Sequence, residues 1–413
     1  MSIKILNEID VSEYEWCNSA IMFRVWNGMA TITHKFGKED EDYGYNAHLL
    51  INDKPILQEY LPICPTCTGL LATGYGIENI DCPELKAVRK CLNSNYIDIK
   101  HSAEMLKPLL NLLKDGYYLL ADVPHYPTDS NDTFFWSVPN EMTYNDAFCD
   151  EYYNYDFTRQ IVSFPQYLYP TQSADMCNEK RVNEYVEIFK NSPNPPRALA
   201  YHEYGFISAL LDGHHKATAS AILGQQINCL TIISISGCTF GKGVKYVNNG
   251  IEIDNVQFSG INVPVPAGSR YGEYFPHHKK STEDVKITKY NLTGRSFPEA
   301  EKNASLLYPD IKEVADIYSA KLEKAEFTEE ILNNFIEKAE YDKLEYSLAY
   351  LMVTDRERAY NLAAKIVKYF PLEKAWKTLL QFKDEKTEQI FIDYIVSHDK
   401  GSLCWDIVTS YWD

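Results

Sequence analysis

The chain has 413 residues, 45% hydrophobic and 24% charged, with a formal net charge of −18 and a pI near 5.0. That length suits two or three domains, each able to bury a core. The acidic balance argues against a surface that wraps duplex nucleic acid or an anionic membrane. No apolar run reaches the length of a membrane span, and the polar stretch from Met1 to Asp10 lacks a signal-peptide core. The ten cysteines are scattered and do not form a disulfide framework, so a cytoplasmic, reduced protein is expected.

The first region, residues 1–160, reads as mixed α/β. Ile21 to Trp26 and Met29 to His34 flank Asn27-Gly28, which predicts a hairpin. His48 to Ile51 and Pro55 to Leu61 flank Asn52-Asp53 and predict a second. Pro83 to Leu92 and Ala103 to Leu113 have helical spacing, and Tyr117 to Val123 reads as a buried strand after Asp115-Gly116. From His125 to Gln160 the chain is polar and aromatic-rich, which favours loops. Cys64-Pro65-Thr66-Cys67 is a C-x-x-C, followed by Cys82 and Cys91. Four thiolates would make a structural Zn²⁺ site, with His34, His48 or Cys17 as substitute ligands. The spacing of Cys82 and Cys91 is wide for a second knuckle, and a redox pair or inert buried thiols are the other readings.

The middle region, 161–305, alternates strand and helix. Glu179 to Lys190 is apolar at Val182, Tyr185, Val186 and Phe189, which predicts a helix. Pro193, Pro195 and Pro196 precede the strands Ala198 to Tyr201 and Phe206 to Leu211. Asp212-Gly213-His214-His215-Lys216 then opens a helix that stops at Gly224, before the strand Ile227 to Ile235. A helix start leaves backbone N–H groups unpaired and favours anions. Gly213 would let the backbone approach a ligand, while His214, His215 and Lys216 add donors and charge, so the turn has the makings of a phosphate cradle. The plainer reading is a turn and helix start with His214 as a cap. Glu179, Glu184 and Glu203 share the region, but their spacing does not aim them at the turn. His277-His278-Lys279-Lys280 reads as a solvated loop. The irregular pattern beyond residue 246 suggests a β extension.

The last region, 306–413, changes to helices starting near Ile311, Glu329, Lys343, Asp355, Leu372, Glu385 and Ser402. Thr328 and Thr354 suit N-caps, Pro371 a first helical position and Gly401 a C-cap. An all-α bundle or solenoid is expected, offering a surface for a protein partner. The fold class is therefore α+β: a mixed N-terminal region, a central α/β module and a helical C-terminal region.

Between about 165 and 236 the order is a Pro170-Thr171-Gln172 element, a helix, a hairpin, the Asp-Gly-His-His-Lys turn, a helix closed by Gly224, and a strand. This segment resembles the ParB/sulfiredoxin superfamily. The resemblance implies a nucleotide-binding module in which Gly213, His214, His215 and Lys216, with Gln172, contact the nucleotide. It also implies that Asp212 orients Mg²⁺ or a substrate hydroxyl, with His215 as its catalytic companion. Sulfiredoxins carry Gly-Gly-Cys-His-Arg. His214 stands where their nucleophilic cysteine would be, which removes sulfinic acid repair. Chromosome-partition members carry Gly-Glu-Arg-Arg and bind CTP; this chain departs from that pattern and shows no helix-turn-helix signature. Nearest in local chemistry is the Asp-Gly-x-His-Arg form of kinases that phosphorylate small hydroxylated metabolites such as free serine. Here Lys216 replaces the arginine, a point charge in place of a fork. The expectation is an ATP-like nucleotide with Mg²⁺, and phosphotransfer to a small hydroxylated or protein substrate. A non-enzymatic nucleotide sensor or adaptor working through its C-terminal helices is the alternative. A nuclease or DNA-binding protein is a third class, disfavoured by the charge.

Overall fold

A computed structural model describes residues 3–12, 14, 16–40, 44–62, 70–73, 75–127, 149–151, 165, 167–172, 176–203, 207–240, 243–248, 251–253 and 327–412. The chain divides into two compact units, Met1–Pro139 with Asp150–Phe297, and Asn140–Cys149 with Pro298–Asp413. The architecture is α+β.

Among its described residues the first unit holds fourteen strands, the eighth beginning at the unit's boundary: β1 (Ile3–Ile9), β2 (Ser19–Val25), β3 (Ile32–Asp40), β4 (Gly44–Ile51), β5 (Lys54–Pro62), β6 (Leu70–Thr73), β7 (Gly116–His125), β8 (Cys149–Glu151), β9 (Tyr167–Pro170), β10 (Ala198–His202), β11 (Ile207–Asp212), β12 (Ile227–Phe240), β13 (Gly243–Asn248) and β14 (Ile251–Ile253). Its described helices are α1 (Pro83–Leu92), α2 (Ile99–Leu110), α3 (Glu179–Asn191) and α4 (His214–Leu223). One sheet runs β1-β2-β7-β12-β10-β11-β9, with β13 on β12 and β14 on β13; a second runs β3-β4-β5-β6-β8. The expected boundary near residue 160 crosses the first sheet, because β7 pairs antiparallel with β12 from Ile227↔His125 to Ile235↔Tyr117. That sheet curls: Leu168 N–H donates to the Tyr126 carbonyl at 3.2 Å, bringing the edge strand β9 back to the residue after β7.

Side-chain alternation along the strands builds two cores from one sheet. Ile21, Phe23, Tyr118, Leu120, Leu199, Leu230 and Ile232 pack with α1, α2 and the β4–β5 pair. Met22, Leu119, Ala121, Val123 and Ile233 form a separate cluster with Trp16. Ala198, Ala200, Leu210 and Cys229 meet Ala217 and Ala221 of α4, whose Ala219 meets Val182, Tyr185 and Val186 of α3.

The two Asn-containing turns behave differently. Asn52 and Asp53 both take positive φ (53° and 60°) and close the β4–β5 hairpin, as expected. The hairpin expected at Asn27-Gly28 does not form. β2 pairs with β1 and β7, whereas β3 pairs with β4 in the other sheet. Asn27 does turn (φ 52°), but the turn carries the chain between sheets. Gly28 is needed there because an added Cβ would lie 2.1 Å from the Leu113 carbonyl oxygen.

In the second unit the described residues form α5 (Glu329–Glu337), α6 (Tyr341–Thr354), α7 (Arg356–Ile366), α8 (Glu373–Leu379), α9 (Glu385–Ser397) and α10 (Trp405–Thr409). The helix expected near Ile311 lies outside the described residues. Thr328 caps α5 through Ile331 N–H at 3.3 Å. Thr354 instead ends α6, and Asp355 caps α7 by accepting Arg358 N–H at 3.1 Å. Leu372, not Pro371, is the N-cap of α8, and Gly401 takes φ 91° in the turn between α9 and α10. Trp376 is fully buried, with ring centroids 5.3 Å from Phe391 and 4.7 Å from Tyr394. Among the described residues no helix is long and apolar enough to cross a membrane.

Candidate functional site

Gly213 is the N-cap of α4 and takes φ 107°, a left-handed conformation that side chains resist. A Cβ here would also lie 2.7 Å from the Ala198 Cβ, so the glycine lets α4 sit close on β10. The small residues Ala217, Ala219 and Ala221 continue that close packing.

The three side chains after Gly213 have three different surroundings. His214 is buried, and its Nε2 accepts Thr171 N–H at 3.1 Å, which places the ring proton on Nδ1. Burial, with His215 beside it, pushes its pKa down to about 3, so the ring is neutral. His215 is half-buried, and its Nε2 lies 3.0 Å from Asn178 N and 3.1 Å from the Met176 carbonyl. Burial and the Arg181 guanidinium lower its pKa. The neutral ring therefore accepts from Asn178 N–H. Only a ring carrying a proton on Nε2 donates to Met176. Asn178 is itself the N-cap of α3, its side chain accepting Arg181 N–H at 3.1 Å. His215 thus ties the start of α4 to the start of α3.

Lys216 points inward and is 1% exposed. Its ammonium donates to the carbonyls of Leu92 at 2.7 Å and Arg197 at 2.9 Å. Leu92 ends α1, where a cation suits the helix dipole. Burial lowers the Lys216 pKa to about 8, with Asp212 opposing that fall. Asp212, at the end of β11, lies 3.8 Å from Lys216 Nζ and 3.3 Å from Arg89 Nε. Arg89 is half-exposed and Arg181 exposed, so two solvent-accessible cations flank the turn. Gln172 is partly buried, next to Thr171, whose hydroxyl donates to the Leu210 carbonyl. Glu179 and Glu184 are exposed on α3.

Asp122 and Arg197 form the charged pair that sequence reasoning missed. Both are buried, with Nε and Nη2 donating to the two carboxylate oxygens at 2.9 and 3.0 Å. Asn18 donates to the same carboxylate at 3.3 Å, and the Arg197 Cζ lies 4.1 Å from the Tyr96 ring centroid. One signal was present: an aspartate inside the apolar run Leu119 to Val123 needs a buried partner.

A second buried polar cluster follows β10. His34 Nε2 lies 3.2 Å from Glu203 Oε2, and His48 and His202 are close enough to act on His34 electrostatically. Burial, Lys114 and these histidines push the His34 pKa down to about 4. His125 is fully buried, its Nδ1 3.1 Å from the Val123 carbonyl and its Nε2 3.1 Å from Ser208 Oγ. Burial lowers its pKa to about 3. His125 and His202 carried no distinguishing motif in the sequence.

Of the cysteines considered as zinc ligands, Cys64 and Cys67 lie outside the described residues. Cys82 is buried at the N-cap of α1, its thiol 3.8 Å from Glu84 Oε2, and Cys91 is part-buried near the end of that helix. Burial raises both thiol pKa values. Among the described residues no group of three or more His, Cys, Asp or Glu side chains is placed to hold a metal ion. The His277–Lys280 cluster also lies outside the described residues. No family model, curated protein or solved structure matches this chain.

Proposed function

We propose that the joined starts of α3 and α4 bind the phosphates of an ATP-like nucleotide, in a module of the ParB/sulfiredoxin type. The observation that carries this reading is the 3.0 Å contact between His215 Nε2 and Asn178 N, which brings two helix N-termini to one place. Each start offers first-turn amides and the positive end of a helix dipole. Arg181 and Arg89 supply charge that can move onto a ligand. The order α3, β10, β11, α4, β12 also supports the superfamily reading.

The side chains divide the work. Lys216 is a positioning residue: it locks α4 to the end of α1 and the start of β10, and His214 locks α4 to Thr171. Amides of both helix starts and the Arg181 guanidinium would contact phosphate oxygens, with the neutral His215 holding the two starts in register. Among the described residues Asp212 is the carboxylate that leads into the turn, and it is already paired with cations. That donor set does not fit a resident metal. It fits Mg²⁺ that arrives with the phosphates and takes one protein carboxylate. Such an ion would neutralise phosphate charge, while Asp212 orients it or an acceptor hydroxyl.

Binding without turnover, as in a sensor or adaptor, is the second reading. The commitment of Lys216 to two backbone carbonyls favours it, since that ammonium is not presented to a ligand. Exposed Val396 (82%) and Leu403 (60%) in the helical unit would suit an adaptor surface. A thermal-shift panel of ATP, CTP, GTP and pyrophosphate, with and without Mg²⁺, tests the common claim. At least one nucleotide should raise the melting temperature of the parent and fail to do so in Arg181→Glu. If none does, the phosphate reading is wrong. ADP release in the presence of hydroxylated acceptors such as free serine separates transfer from sensing.

A further inference from the structure

The segment from the end of α1 to the start of α2 borders an open-mouthed cavity of about 190 Å³, with Arg197 and Leu230 on its other side. Two of its wall residues cannot collapse into it. Tyr96 is held by its backbone N–H on the Asn194 carbonyl at 3.1 Å and by its hydroxyl 3.2 Å from Ser19 Oγ. Arg197 is held by Asp122 and by the Pro195 carbonyl, which accepts from Nη1 at 3.1 Å. The two stack with Cζ 4.1 Å from the ring centroid. The result is a ring and a guanidinium held in fixed positions at the cavity's border, each with one face on the other, and Leu92 and Leu230 add apolar surface.

Chemistry and size narrow the occupant. The Arg197 charge is already neutralised by Asp122, so its guanidinium does not call for an anion. Its bonds to Asp122 and the Pro195 carbonyl use three of its five N–H donors and leave two for a ligand edge, and Asn95 and His101 in the lining add further hydrogen-bonding groups. A planar π-system stacks favourably on the face of Tyr96 or Arg197 that the pair leaves uncovered. The cavity is smaller than the roughly 300–1,000 Å³ of a drug-sized ligand site, so it admits a ring system and not a whole nucleotide.

We propose that this cavity binds a planar nitrogen heterocycle of purine size. Leu92 and Arg197, two of its wall residues, are the same two whose carbonyls hold Lys216. The wall and the start of α4 are therefore one rigid assembly, and the ring is the base of the nucleotide whose phosphates α3 and α4 hold. That last identification rests on the function proposed above; the pocket does not.

Probes that carry only half of a nucleotide keep the two claims separate. Adenosine, guanosine, cytidine and nicotinamide are titrated into the full chain by ligand-observed NMR and calorimetry, and pyrophosphate is titrated in parallel. Met105→Trp and Ser94→Trp add bulk at lining positions that are exposed, and an unchanged melting temperature certifies that each variant folds. The expected result is saturable binding of at least one heterocycle, weakened tenfold or more in at least one filled variant, with pyrophosphate affinity unchanged. No saturable binding by any of the four, or equal affinity in parent and both variants, overturns the pocket. Heterocycle binding that the filled variants abolish, with no pyrophosphate binding in the parent, keeps the pocket and overturns its link to the phosphate site.

Discussion

The two units solve the same packing problem with opposite materials. The sheet unit buries Asp122, His125, Arg197, His202, Glu203, His214 and Lys216. Among its described residues, the helical unit buries no Asp, Glu, His, Lys or Arg side chain, and its buried polar groups include the hydroxyls of Ser347, Thr378 and Thr387. Two of those hydroxyls donate to carbonyls four residues back, and Thr387 bonds Asp384 at its helix start. Trp376, Phe391 and Tyr394 fill the helical core. A buried charge carries a desolvation penalty that its partner rarely returns in full. The sheet unit carries that cost, and the described helical core avoids it.

The comparison can be broken most sharply at Arg197. Arg197→Met leaves Asp122 charged and buried, and should cost the sheet unit about 3–5 kcal/mol in urea unfolding. Adding Asp122→Leu should restore a large part of that loss. A single variant within 1 kcal/mol of the parent would show that the pair is not buried in solution. Lys216→Met comes next, at about 1–3 kcal/mol, since two carbonyls lose their donor while the cost of burying an ammonium disappears. Its pH signature is the better test. With a folded pKa near 8, below the ordinary 10.5, the folded parent binds fewer protons than the unfolded chain between these values. Parent stability therefore gains from this group as pH rises from about 8 to 10.5, and Lys216→Met should lose that gain.

Acid should separate the units. His34, His125 and His214 are held near 4, 3 and 3, against an ordinary 6.5, mainly by burial. Their contribution is fully present above pH 6.5 and is lost as pH falls toward 4 to 3, by up to about 1.4 kcal/mol per pH unit for each ring. Proteolysis in urea at pH 7, 6 and 5, with fragments assigned to each unit, should show the sheet unit weakening first. Equal weakening of both units would remove the contrast. The smallest effect belongs to the helical unit: Asp355→Ala removes the cap of α7 and should cost it about 1 kcal/mol.

What the sequence revealed followed the range of the interaction. The Asn52-Asp53 hairpin, α1, α3 and the Gly224 stop of α4 depend on neighbours in the chain, and their signals were local. Asn27-Gly28 carried the same local signal, yet pairing in two separate sheets overrode it. Asp122 and Arg197 stand 75 residues apart, so the apolar run around Asp122 signalled a buried partner without saying which residue it was. Lys216 looked like a ligand side chain because it follows two histidines. The clue to its burial lay just beyond it, in the run Ala217 to Ala221. A helix of small residues with no charged face packs on several sides, and a lysine in its first turn is enclosed with it. The tie between His215 and Asn178 spans a hairpin and became visible only in the fold.

The central claim is that the joined starts of α3 and α4 hold phosphates. Isothermal titration of pyrophosphate into the full chain, parent against Arg181→Glu, at 50 and 200 mM salt, tests it most directly. The expected result is saturable binding that weakens with salt and falls at least tenfold on charge reversal. Absence of binding in the parent, or equal affinity in the two proteins, would contradict it.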